Sequence, residues 1–203
     1  MYVSKVPGIF WRLFPDILWR MPTNEKALYL TFDDGPTPGI TEFVLDTLDA
    51  YNAKATFFCI GKNVAAHPGL FHRILAEGHT VGNHTQNHLN GWETEDEIYY
   101  DNIAQCAQAV NSNLFRPPYG KISLAQMNFL KPKYKIVLWD VLSGDFDLQL
   151  SQETCLNNVL RHSREGSIVV LHDSIKAEPK VRYVLPRALE HFAKAGYSFK
   201  SLN

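Results

Sequence analysis

The chain has 203 residues, 45% of them apolar and 20% charged. That is the globular norm, enough to build one buried core, and it excludes a disordered chain. Twenty Lys and Arg against twenty-one Asp and Glu leave a net charge of -1, so nucleic acid is not an expected partner.

Residues 1–26 read as an aromatic-rich segment packed on a domain of residues 27–203. Phe10, Trp11, Leu13, Phe14, Ile17, Leu18 and Trp19 are broken up by Pro7 and Pro15 and punctuated by Arg12 and Asp16. A signal peptide needs an unbroken apolar stretch and a small-residue cleavage site, and neither is present. No run approaches the eighteen apolar residues of a membrane-spanning helix. Tryptophan beside arginine in residues 9–20 also suits a peripheral membrane contact. The expectation is a monomer, cytoplasmic or membrane-peripheral.

From residue 27 onward, short apolar runs alternate with longer periodic segments. Strands are expected at 27–32, 55–60, 80–82, 113–116, 134–139, 167–171 and 197–200. Helices are expected at 41–51, 63–77, 93–111, 122–130, 151–164 and 181–195, with Gly78 and Gly196 at two helix stops. About seven β–α units with no linker argue an α/β fold, either a parallel barrel or a doubly wound sheet. Cys59, Cys106 and Cys155 form no CxxC pair. They read as core filling, in keeping with a reducing compartment.

The chemistry-bearing residues fall at the C-terminal ends of these strands. Asp33 and Asp34 follow the first, His84 and His88 the third, and Arg116 and Tyr119 the fourth. Asp140 and Asp145 follow the fifth, His172 and Asp173 the sixth. In a β/α barrel that face carries the catalytic groups. Adjacent side chains leaving a strand point apart, so one of Asp33 and Asp34 can bind a metal while the other faces a bound water. His84 and His88, four apart, fall on one side of a helical turn and suit a divalent cation. Two imidazoles and one carboxylate leave a coordination position open, as catalytic sites do. Zinc is the first expectation, with cobalt or nickel fitting the same donors. Pro117 and Pro118 stiffen the corner beside Arg116.

Together these segments resemble the polysaccharide deacetylase family, also called the NodB homology domain. TFDDGP, HTQNH and RPPYG match its first three motifs in order and spacing, and the resemblance covers residues 27–199. It implies a distorted (β/α)-barrel with about seven parallel strands. It also implies metal-dependent hydrolysis of N-acetyl groups on peptidoglycan- or chitin-type sugars. Carried over by position, Asp33 would be the catalytic base and Asp34, His84 and His88 the metal ligands. Arg116 would orient Asp33, and the backbone N–H of Tyr119 would stabilise the oxyanion. His172 would be the general acid, with Asp145 its orienting partner.

Leu142 and Phe146 stand where many members have Asp and Trp, and Val170 where Leu is usual. These positions belong to the sugar- and acetyl-contacting walls. Trp92, Trp139 and Tyr119 are candidate stacking surfaces, Trp139 also a core candidate. Alternative readings are a deformylase or deacetylase of a lipid-linked or small sugar amide, and a carbohydrate-binding pseudoenzyme.

Overall fold

A curled parallel sheet carries the fold of residues 4–202, which the computed structural model describes. Its strands are β1 (Ile17–Leu18), β2 (Ala27–Asp33), β3 (Thr56–Cys59), β4 (Thr80–Asn83), β5 (Leu114–Phe115), β6 (Lys135–Val137), β7 (Val141–Leu142), β8 (Ile168–His172) and β9 (Ser198–Phe199). Eight of them run in the order β1-β6-β5-β4-β3-β2-β8-β7, and β9 pairs beside the start of β2. Every residue of β2 and β3 is buried. Helices cover one face and the barrel interior the other, so these strands are apolar without alternation.

All seven expected strands are present. The structure adds β1 and β7, each only two residues long and too short to show a period. The stretch expected as one strand at 134–139 is a strand only over 135–137. That strand, β6, lies between β5 and β1. Three residues beyond β6 the chain becomes β7, at the opposite end of the sheet beside β8.

The N-terminal segment bridges the resulting seam. The Val6 N–H donates to the Asp140 carbonyl (3.0 Å), and the Leu142 N–H to that of Ser4 (2.9 Å). Further along, the Leu138 N–H reaches the Leu18 carbonyl (2.9 Å) and the Met21 N–H that of Gly166 (2.9 Å). Residues 4–21 therefore touch both margins of the sheet, and Ile17 is buried in the core. Ile9, Phe10 and Leu13 remain exposed.

The helices are α1 (Ile9–Leu13), α2 (Ile40–Asp49), α3 (Gly61–Ala66), α4 (Pro68–Ala76), α5 (Asp96–Ala109), α6 (Leu124–Leu130), α7 (Gln152–His162) and α8 (Glu178–Lys194). The helix expected at 63–77 is two. His67 between them has φ -132° and ψ 57°, because Pro68 disfavours helical backbone in the residue before it. The helix expected at 93 begins at Asp96; Glu93 and Thr94 turn back onto the Asn90 carbonyl instead. Cys59, Cys106 and Cys155 are free and buried. No helix among the described residues is long and apolar enough to cross a membrane.

Candidate active site

Strand register brings the chemistry to one level. Asp33 pairs with His172 across β2 and β8, Cys59 with Asn83, and Asn83 with Phe115. Asp33, His84, Arg116 and His172 therefore emerge together at the C-terminal rim of the sheet.

Arg116 is fully buried. Its Nη1 donates to Asp33 Oδ1 (2.6 Å) and Thr31 Oγ1 (2.7 Å), its Nη2 to the Leu138 carbonyl (3.0 Å) and its Nε to that of Val137 (3.3 Å). The Phe58 ring lies 4.1 Å from the guanidinium carbon. Burial lowers the guanidinium from its ordinary value while Asp33 opposes the shift.

His84 Nδ1 lies 2.7 Å from the Arg116 carbonyl. A carbonyl only accepts, so Nδ1 carries the proton and the Nε2 lone pair faces Asp34, whose Oδ1 is 3.7 Å away. Burial pulls His84 down to about 4, with Asp33 opposing, so the imidazole is neutral at pH 7. His88 places Nε2 at 3.2 Å from the same oxygen and Nδ1 at 3.2 Å from the Tyr119 hydroxyl.

The helical turn expected for these histidines is not present. Residues 84–88 form an irregular loop in which Thr85 and His88 have φ of 64° and 60°. The side chain of Asn83 accepts the Thr85 N–H (2.9 Å), which competes with helix formation. Asn102 of α5 then fixes the loop by accepting the Gln86 and Asn87 N–H groups.

Asp34 has φ 84°. Its Oδ1 is buried without a hydrogen-bond partner, although both histidine Nε2 atoms face it. Burial raises this carboxyl, but His88, His172 and His84 outweigh that and hold it well below the usual carboxylate range. The donor atoms of Asp34, His84 and His88 lie within 4.8 Å of one another. A bare buried oxygen and two oriented imidazole nitrogens fit a divalent cation of the borderline class.

Asp145, fully buried, grips His172 twice. Oδ1 meets ring Nδ1 and Oδ2 accepts the backbone N–H, both at 2.7 Å. Burial pushes the imidazole down, but Asp145, with Asp34 and Asp33 beyond it, raises it to about 10. Asp140 takes no part in this. It is buried against the Ser167 hydroxyl (2.9 Å), and five residues along β8 separate Ser167 from His172, roughly 16 Å. Tyr119 has φ 60° and its ring is exposed.

Asp33, Asp34, His84, His88, Tyr119 and His172 line one cavity of about 860 Å³, whose apolar wall is Trp139, Leu142, Phe146 and Val170. His88 and Tyr119 separate it from a polar hollow lined by Asn90, Glu93, Thr94 and Lys121. Trp92 is exposed beside that hollow, with the Lys121 ammonium 5.5 Å from its ring centre. Asn63, His67 and Lys176 also line the main cavity; sequence reading missed them, since none stands in a recognisable motif. Asp173 was seen at the strand end without a role. It is fully buried, and burial, reinforced by Asp34 and opposed by Thr41, pushes it up to about 8.

A carboxylate beside three candidate metal donors, facing an imidazole backed by a second carboxylate, is an arrangement suited to hydrolysis by water. A model of the polysaccharide deacetylase family matches residues 20–131. A peptidoglycan-N-acetylglucosamine deacetylase of Bacillus cereus is 37% identical over 92% of this chain and 91% of its own length. A chitooligosaccharide deacetylase of Azorhizobium caulinodans is 34% identical over 76% of this chain and 77% of its own. The crystal structure of the Bc1960 peptidoglycan N-acetylglucosamine deacetylase superposes with a TM-score of 0.89 at 30% identity. It covers 97% of this chain and 95% of that one. The chain belongs to the polysaccharide deacetylase family, hydrolases of carbon–nitrogen bonds that remove N-acetyl groups from sugars.

Proposed function

We propose that this chain deacetylates N-acetylglucosamine units of a peptidoglycan-type glycan, with Asp33 as base and His172 as acid. The observation that carries the reading is the register pairing of Asp33 with His172, which sets base and acid on neighbouring strands beside one group of metal donors. Asp34, His84 and His88 would hold the cation, zinc by this donor set. When bound, such a cation polarises the amide oxygen and acidifies a water.

Arg116 engages only Oδ1 of Asp33, so Oδ2 is the oxygen left to take the proton of the attacking water. As water oxygen bonds to the acetyl carbon, the Tyr119 N–H supports the negative charge that develops on the carbonyl oxygen. The C–N bond then breaks as His172 gives its proton to the leaving amine, and acetate departs. With Nδ1 of His172 held by Asp145, Nε2 is the atom that delivers that proton. Trp139, Leu142 and Val170 would wall the acetyl methyl, apolar surface against an apolar group.

The B. cereus relative favours peptidoglycan over chitin because it matches this chain nearly end to end. Acetate release from N-acetylated peptidoglycan fragments, set against chitin tetramer, tests the reading. Faster release from the peptidoglycan fragments is expected. Faster release from chitin moves the substrate to that polymer, and no release from either removes the activity.

A further inference from the structure

Asp34 reaches the two histidines from a backbone conformation that non-glycine residues rarely adopt, φ 84°. Such a conformation persists only where the surroundings over-determine it. Here both polar atoms of the Asp34–Gly35 peptide are held, and so is the carbonyl that follows. Asn63 Nδ2, from α3, donates to the Asp34 carbonyl at 2.7 Å. The Gly35 N–H donates to Asp173 Oδ1 at 3.0 Å, and the Gly35 carbonyl accepts the Ile60 N–H at 3.0 Å.

Asp173 is itself fixed. Its Oδ2 accepts the Thr41 hydroxyl at 2.6 Å, and its backbone N–H donates to the Asp33 carbonyl at 3.1 Å. The Thr41 oxygen in turn accepts the Thr37 N–H at 2.8 Å. A Cβ on Gly35 would lie 1.9 Å from Asp173 Oδ2, so the glycine is what lets the carboxylate approach this peptide. The main chain of the loop is thus fastened to the residue after β8 on one side and to α3 on the other, which sets the point and direction from which the Asp34 side chain leaves it.

We infer that Asp173 and Asn63 are positioning residues that clamp the Asp34–Gly35 peptide so that Asp34 is pre-set as a metal ligand. The inference rests on the proposed assignment of Asp34, His84 and His88 as the ligands. Neither residue touches the donor atoms. Both act through the backbone that carries one of them, and partners of this kind typically govern about 10–100-fold in metal affinity.

The test is zinc affinity rather than turnover. Stripped wild type, Asp173→Ala, Asn63→Ala, Thr41→Val and Thr41→Ser are titrated with zinc against a chromophoric chelator, and the melting temperature of each stripped protein is recorded. Asp173→Ala removes the acceptor of the Gly35 N–H, and Asn63→Ala deletes the other anchor without opening the core. Each is expected to weaken zinc about 10–100-fold. Thr41→Val should weaken it less and Thr41→Ser should restore it, with the stripped Asn63→Ala protein melting as wild type does. Wild-type zinc affinity in folded Asp173→Ala and Asn63→Ala would overturn the clamp alone. Affinity that falls only in step with melting temperature would reduce it to a fold contact and overturn it too. A wild type whose zinc binding survives His84→Ala would overturn the ligand assignment and the clamp together.

Discussion

Asp145 holds His172 through two bonds of 2.7 Å, one to the ring and one to the backbone N–H of the same residue. The carboxylate thus fixes both where the strand ends and which way the imidazole points. The result is a histidine raised to about 10 despite its burial, protonated through the neutral range. Asp145→Asn leaves burial unopposed by that charge. The alkaline limb of the pH–rate profile is expected to move down. Turnover should drop by a good part of the ~10²–10⁴ that acid–base groups contribute, with metal content unchanged. Stability follows the same sign. The raised His172 stabilises the fold fully below its ordinary pKa, and that contribution is lost as pH climbs through about 10. Melting temperatures of wild type and Asp145→Asn across pH 6 to 10 check it: their gap is expected to shrink with rising pH.

Arg116 cannot be exchanged for lysine. One ammonium cannot serve Asp33, Thr31 and two carbonyls that the planar guanidinium reaches together. Arg116→Ala strands a buried carboxylate and should cost about 3–5 kcal/mol of stability. Denaturant unfolding measures that loss, and Arg116→Lys should recover only part of it.

The N-terminal segment should act on stability and not on chemistry. Ile17→Ala removes a buried side chain that packs with Ile136 of the neighbouring β6, about 2 kcal/mol, or roughly 4–8 °C for a chain of this size. Calorimetry reads the shift, and zinc affinity should stay at the wild-type value.

The cavity adjoins the polar hollow at Lys121 and Glu93, sharing His88 and Tyr119 with it, so neighbours of the reacting sugar have polar surface to rest on. Turnover on an N-acetylglucosamine tetramer is expected to exceed turnover on the monosaccharide. Steady-state acetate release on the two decides it.

The β–α alternation and the face that carries Asp33, His84, Arg116 and His172 were legible because buried parallel strands are apolar throughout and end where polarity resumes. The Asp145–His172 pair followed from motif position. Other features had no local signal. β7 is two residues whose pairing depends on β8, far along the chain. The loop of His84 and His88 looks helical by spacing, yet Asn83 and Asn102 pull it out of helix. Asp173 reads as part of a strand-end cluster, and only the fold shows that it faces Gly35 rather than the cavity.

The central claim is that base and metal ligands are different residues, Asp33 on one side and Asp34, His84 and His88 on the other. Bound zinc and acetate release, measured together on Asp33→Asn and His84→Ala, test it most directly. The account predicts that Asp33→Asn keeps wild-type zinc and loses turnover, while His84→Ala loses both. Equal loss of zinc in the two variants, or turnover retained by Asp33→Asn, would contradict it.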